Sequence, residues 1–342
     1  MESRKIGFDN ARGETLSARL DVPVDGDPIA YALFAHCFTC SKDLKAVGNI
    51  SRSLVSRGFG VLRFDFTGLG ESEGEFSETN FSGNAEDIVA AAEMLEKDYE
   101  APSILIGHSL GGAAVLLAAA RLPHVKAIAT IGAPFDPLHV SHLFDEAVDE
   151  IKGTGSAKVT IAGRPFKIER QFLRDLTDQN PTQYIGNLKR ALAVFHSPVD
   201  QIVGIENASL IFEAARHPKS FISLDHADHL LTSADDSTYV GAVVAAWAGK
   251  YIDGPPQEEV KHLDPHDNYV VARIGDSGFQ TEILANGHSL IADEPRTVGG
   301  DNTGPTPYDL LVAGLGACTA MTLRMYADRN DWNLTAVTVK LH

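Results

Sequence analysis

The chain reads as an α/β protein: a doubly wound, mostly parallel sheet with a small insertion over one edge, followed by a shorter segment of different pattern. Three observations predict this. Apolar runs alternate with amphipathic helical stretches from residue 14 to about residue 252, the spacing of parallel strands joined by helical crossovers. One run, Ile104-Leu105-Ile106, ends in Gly107-His108-Ser109-Leu110-Gly111 and passes at once into the Ala/Leu-rich stretch from Ala113 to Ala120. Strand, sharp turn and helix are the context in which Gly-x-Ser-x-Gly means a nucleophile elbow. Finally, the candidate functional side chains fall just beyond the carboxyl ends of strands, where open α/β sheets carry their sites.

Taken in order, residues 14–22 and Tyr31 to Ala35 are expected strands, the second ending at His36-Cys37-Phe38. A helix from about Leu44 to Arg57 leads to the strand Val61–Phe66 and a glycine-rich turn, Thr67-Gly68-Leu69-Gly70-Glu71-Ser72-Glu73-Gly74. Asn84 to Tyr99 repeats its apolar residues (Ile88, Ala91, Ala92, Leu95) at helical spacing. Beyond the elbow, Val125 to Ile131, Ala191 to Phe195 and Phe221 to Leu224 supply strands, with helices near 205–216 and 237–252. The stretch from Phe135 to about Asn187 is too long for a simple crossover. It holds a helical stretch (Val140 to Ile151), a hairpin of Lys158–Ile161 and Phe166–Ile168 turning over Ala162-Gly163-Arg164-Pro165, and a second helical stretch near 169–177. Inserted here, it would lie over the elbow as a lid. Its Phe135, Leu143, Phe144, Phe166 and Phe172 would either wall an acyl pocket or anchor the lid.

The totals narrow the function. A length of 342 residues suits two domains. The net charge of −17, from 46 acidic and 29 basic residues, has the wrong sign for nucleic acid or an anionic membrane. Met1-Glu2-Ser3-Arg4-Lys5 leads into no apolar signal region, and the run from Ala113 to Ala120 is too short to span a bilayer. Three cysteines do not make a disulfide framework. A cytoplasmic location is expected, with no cofactor and no metal. Cys37 and Cys40 form C-x-x-C, but a single pair that opens no clear helix is weak evidence for a metal or redox site.

A serine hydroxyl needs a base, and the base needs an orienting acid. After a Gly-x-Ser-x-Gly elbow the expected chain order is Ser, Asp or Glu, then His. Asp200 follows the strand Ala191 to Phe195, and His229 follows the last strand, with His226 three residues away as the competing base. Asp228 adjoins His229, but adjacency does not aim its carboxylate at the ring. For the oxyanion, one donor is the backbone N–H of Leu110 at the positive end of a helix. The second is expected from the loop after Tyr31 to Ala35, at the N–H of Phe38, with Cys37 as a lesser contributor.

Together His36, the segment Phe64-Asp65-Phe66-Thr67-Gly68-Leu69-Gly70-Glu71-Ser72, the elbow and the Asp–His order resemble the α/β-hydrolase superfamily over residues 1–254, with the lid at about 135–187. The resemblance implies a serine hydrolase of the esterase class acting on a small-molecule ester. Cys37 departs from the glycine that such proteins usually carry after the histidine.

Behind a linker at 255–264, Tyr269 to Ile274 and Gln280 to Leu284 alternate like a hairpin, and an apolar helix runs from Leu310 to about Asp328. Ala292-Asp293-Glu294-Pro295, Gly304-Pro305-Thr306-Pro307-Tyr308-Asp309-Leu310-Leu311 and Gly316-Ala317-Cys318-Thr319-Ala320-Met321-Thr322 resemble the OsmC/Ohr family. Residues 265–342 would be a partial α+β domain of that kind. The resemblance implies homodimerisation through this domain and, as an alternative activity, thiol-dependent reduction of organic hydroperoxides at Cys318. The catalytic glutamate of those peroxidases falls at Tyr308, and no resolving cysteine follows Cys318.

Overall fold

The structure is a computed structural model describing residues 1–23, 28–161, 163–252, 270–275, 278–286 and 288–341. It divides into two units, Ser3–Pro256 and a second made of Met1–Glu2 with Gln257–His342.

In the first unit β1 (Glu2–Asp9), β2 (Thr15–Val22) and β3 (Ala30–Ala35) precede α1 (Lys45–Val55) and β4 (Phe59–Phe64). Then come α2 (Phe81–Asp98), β5 (Ile104–His108), α3 (Leu110–Ala118) and β6 (Ala127–Ile131). The insertion follows as α4 (Asp145–Thr154), β7 (Ser156–Ile161), β8 (Arg164–Glu169), α5 (Arg170–Thr177) and α6 (Pro181–Gly186). The unit closes with β9 (Ala191–His196), α7 (Glu206–Ala214), β10 (Lys219–Ser223) and α8 (Ala234–Ala248). Eight strands form one sheet in the order β1-β2-β4-β3-β5-β6-β9-β10. From β4 to β10 neighbours run parallel, while β2 is antiparallel to β4. Every residue of β3, β4, β5, β6 and β9 is buried. Continuous apolar runs produce this because helices cover both faces of a parallel sheet.

Several expectations shift. β1 escaped the sequence reading because only alternate residues such as Ile6 and Phe8 are apolar, as suits a half-solvated edge strand. The strand expected at Val61–Phe66 begins at Phe59 and ends at Phe64, where Asp65 turns to meet Lys42. The strand expected from Val125 begins at Ala127. In the insertion, Pro137–Phe144 forms tight 3-10 turns and the α-helix starts only at Asp145. Arg164 and Pro165, expected in the hairpin turn, belong to β8 and pair with Ile161 and Thr160; Ala162 lies outside the described residues. α6 was missed despite a plain start signal, Asn180 capping Gln183 with Pro181 in the first turn.

The second unit holds an antiparallel sheet of β11 (Val270–Ile274), β12 (Thr281–Ala285) and β13 (His288–Ala292), then α9 (Pro307–Arg329). The expected hairpin is thus two of three strands; Tyr269 and the linker at 255–264 lie outside the described residues. α9 opens on a reciprocal capping box between Thr306 and Asp309. Of its 23 residues only Ala327 is buried. By length and composition alone this helix could cross a membrane, with a mean hydropathy of 1.4 in its most apolar window. A count of unbroken apolar runs passes over it because Asp309 and Arg324 interrupt the run.

Candidate active site

At the centre of the sheet, β5 delivers Ser109 into the turn before α3. The serine backbone stands at φ 54, ψ −126, a conformation that costs a non-glycine residue about 1–3 kcal/mol and persists only where its surroundings enforce it. The surroundings here are the flanking glycines. A Cβ on Gly107 would strike the Gly111 carbonyl oxygen, and one on Gly111 would strike the carbonyl oxygens of Ala35 and His36. β5, the elbow and the end of β3 can approach this closely only without those side chains. Ser109 occupies the N-cap position of α3, yet its hydroxyl caps nothing; it points instead to His229.

His229 Nε2 lies 3.0 Å from Ser109 Oγ, and Nδ1 lies 2.7 Å from Asp200 Oδ2. A carboxylate only accepts, so Nδ1 carries the proton and Nε2 is left to accept from the serine. Ser109, Asp200 and His229 therefore come together from the ends of β5, β9 and β10. His226 is exposed and stands outside this line. Asp228 accepts from the backbone and hydroxyl of Thr232 and caps the loop behind His229.

Asp200 Oδ1 accepts the amides of Ile202 at 2.8 Å and Val203 at 3.0 Å. Burial pulls this carboxyl upward, but the hydrogen bond from His229 and those amides outweigh it, so it titrates below its ordinary range. The loop is pinned further by buried His196, which donates through Nε2 to the Val203 carbonyl at 2.8 Å. His108 does the same for His229, donating through Nε2 to its carbonyl at 2.7 Å, with the two rings 5.2 Å apart. Burial lowers the His108 pKa to about 4, so the ring stays neutral. Neither histidine could be assigned from sequence, because each acts through a backbone carbonyl, seven positions on for His196 and 121 on for His108.

The amides of Phe38 and Leu110 have no protein acceptor among the described residues, and both residues line one cavity with Ser109 and His229. The loop carrying Phe38 is held at both ends. His36 Nδ1 donates to the Cys37 carbonyl at 2.8 Å. Lys42, fully buried, places its ammonium 2.6 Å from Asp65 and 2.8 Å from Glu71, and its amide donates to Asp65 at 2.7 Å. Burial opposes the charge on Lys42, but the two carboxylates prevail and its pKa is raised. Sequence reasoning noted Asp65 and Glu71 without Lys42, since nothing local links residue 42 to residue 65. The C-x-x-C pair, weighed from its spacing only as weak evidence for a redox or metal site, is joined in a disulfide between Cys37 and Cys40. Cys318 is free and exposed.

The cavity measures about 320 Å³. Its walls are mainly apolar, with Leu110, Val140, Leu143, Ile161, Ile202 and Leu230 prominent. Of the five lid residues weighed from sequence, Leu143 lines this space, whereas Phe144 and Phe172 are buried in the core. Phe166 packs on Phe76, and Phe76 and Phe172 both pack on Phe38. The lid aromatics thus anchor more than they wall. Among the described residues no group of three or more His, Cys, Asp or Glu is arranged to hold a metal ion.

Comparison with known proteins identifies the two units by family. Residues 41–164 match the family model described as serine aminopeptidase, S33, and residues 300–342 match that of OsmC-like protein. The crystal structure of the esterase domain from a Rhodothermus marinus protein aligns with a TM-score of 0.62 at 55% identity, covering 74% of this chain and all of that one. Among curated proteins, the mitochondrial palmitoyl-protein thioesterase ABHD10 of Mus musculus is 37% identical over 89 residues, 26% of this chain and 28% of that protein. Human monoglyceride lipase is 32% identical over 116 residues, 33% of this chain and 37% of the lipase. The matched stretches thus span well under two thirds of those curated relatives.

Proposed function

We propose that this chain, which belongs to the α/β-hydrolase family of esterase and lipase type and carries a partial OsmC-like domain, cleaves small-molecule carboxylic esters through an acyl-enzyme. The observation that carries the reading is the unbroken line from Asp200 through His229 to Ser109, with hydrogen bonds of 2.7 and 3.0 Å. Ser109 Oγ attacks the ester carbonyl as His229 Nε2 takes its proton. Asp200, held ionised, keeps the imidazole in the required tautomer and stabilises the imidazolium. The charge on the tetrahedral oxygen is received by the free amides of Phe38 and Leu110. His229 then returns the proton to the leaving alcohol, and a water activated by the same ring releases the acid. No step calls for a cofactor.

The test is turnover of a graded series of p-nitrophenyl esters together with labelling by a fluorophosphonate probe. Labelling confined to Ser109, with turnover lost in Ser109→Ala, is the expected result. An unlabelled protein, or undiminished turnover in the variant, refutes the assignment. The acyl series also measures how much chain the cavity accepts.

For the second unit we propose association with another copy through α9. The supporting observation is its open apolar side, where Leu311, Leu315, Met321 and Met325 are 73%, 61%, 66% and 71% exposed. Sedimentation should show a dimer that Leu315→Glu dissociates, and an unchanged mass in that variant would remove the idea. The peroxidase alternative would rest on Cys318, which is free and exposed.

A further inference from the structure

We propose that Cys37 and Cys40 are a redox-active pair set in the acyl cavity, exchanging with small thiols and their disulfides, and that the disulfide form keeps the oxyanion loop in its working shape. This rests on the esterase reading above. Both sulfur-bearing residues line the cavity that contains Ser109, and they are bonded to each other. The two residues they enclose are Phe38, whose amide is the proposed oxyanion donor, and Thr39.

Thr39 stands at φ 62, an unfavourable backbone for any side chain and especially for a β-branched one. Such a residue stays there only when its neighbours over-determine it. Three constraints do so. The Cys40 amide donates to the Cys37 carbonyl at 3.1 Å, closing the turn. His36 and Lys42 fasten the loop at either end. The disulfide spans the part between them, so it is the one covalent restraint on the Thr39 backbone. With the bond broken, Thr39 is free to relax to negative φ, and the peptide that presents the Phe38 amide turns with it. An amide displaced by about an ångström from the oxyanion position loses much of its effect on the reaction.

Access favours attack at Cys40, which is half-buried on the cavity wall, over Cys37, which is 3% exposed. A thiolate of a small dithiol attacks Cys40 Sγ, the S–S bond breaks, and Cys37 leaves as a thiolate that takes up a proton. The second thiolate of the reductant then attacks its own sulfur on Cys40. It departs as a cyclic disulfide, and Cys40 is released to take the second proton. Two electrons have passed to the pair. A small disulfide of the glutathione class reverses the exchange, leaving as two thiols with both electrons and both protons.

The full chain is equilibrated in glutathione buffers of graded ratio, its thiols are trapped by alkylation and mapped by peptide mass, and kcat and KM for p-nitrophenyl butyrate are measured in parallel. Cys318, free in both states, is the internal standard. On reduction, alkylation should appear at Cys37 and Cys40 together. The kcat should fall about ten- to a hundred-fold and recover on re-oxidation. The double variant Cys37→Ser/Cys40→Ser should hold the low kcat in every buffer with its fold intact by circular dichroism. Thr39→Gly, which adopts the turn without strain, should keep most of its kcat when reduced. Equal kcat in both states, or Cys37 and Cys40 alkylated alike in every buffer, overturns the proposal. No turnover and no fluorophosphonate labelling in either state would instead sink the esterase reading, while the thiol map still decides whether the pair cycles.

Discussion

α3 and α9 are both apolar helices preceded by a hydroxyl residue, and they use that residue in opposite ways. Thr306 gives its side chain to the helix, accepting the Asp309 amide in a reciprocal capping box. Ser109 stands at the same position before α3 and caps nothing, its hydroxyl reserved for His229. The difference continues along the helices. All but one residue of α3 is buried, against one residue of α9. Where the sheet supplies the packing, α3 forgoes a cap worth about 1 kcal/mol and tolerates a strained backbone at its start. Where no such cover exists among the described residues, the helix end is secured by local hydrogen bonds instead.

The contrast is open to direct attack. Ser109→Ala should lower kcat/KM by at least about a thousandfold, yet cost almost no stability. Ser109→Gly should be equally inactive and more stable by about 1 kcal/mol, since glycine adopts the elbow freely. Thermal melts that show either variant to be clearly destabilised would mean the hydroxyl supports the helix after all. Asp200→Asn should cost about 10⁴-fold in kcat through the wrong imidazole tautomer, whereas His226→Ala should leave turnover nearly intact. The reverse ranking of His226→Ala and His229→Ala would reassign the base. Gly111→Ala should destabilise the first unit by about 3 kcal/mol, through overpacking against the Ala35 and His36 carbonyls. Thr306→Ala should cost about 1 kcal/mol, read in chemical denaturation, with ester turnover unmoved.

The smallest effect concerns pH. Hydrogen bonds from Lys42 and Lys5 lower the Glu71 pKa from 4.5 to about 2. Between those values the unfolded chain binds the extra proton, so stability from this contact is full above pH 4.5 and is lost as pH falls toward 2. Glu71→Gln should flatten that part of the acid-unfolding curve. Because Glu71 is exposed, the change should be slight, and an unaltered curve would show that Asp65 alone holds Lys42.

Much of the candidate site could be read from the sequence because each of its three side chains lies in the segment that follows a strand of the parallel sheet, β5, β9 or β10. Ser109, Asp200 and His229 inherit their positions from strand ends, and parallel strands bring those ends to one edge. Strand order does not separate His229 from His226: the apolar stretch after His229 that favoured it is not helical, α8 beginning only at Ala234, and loop conformation decides which ring faces inward. What stayed hidden depends on contacts between residues far apart in the chain. Lys42 meets Asp65 across 23 positions, and His108 meets the His229 carbonyl across 121. No periodicity or motif encodes such pairs. The edge strand β1 and the start of α4 were lost for another reason: half-solvated strands and 3-10 turns leave only faint apolar patterns. The cysteine pair was visible as C-x-x-C, but spacing alone does not say that the intervening turn is tight enough to join them.

Phe38 stacks against Phe76 from the loop after β4 and against Phe172 from the insertion. One ring therefore ties the insertion to the residue whose amide is the proposed oxyanion donor. An engineer who grafts a foreign insertion here to change substrate range will also shift that amide, unless both aromatic neighbours travel with the graft. Transplants that respect this triangle should alter preference while sparing rate.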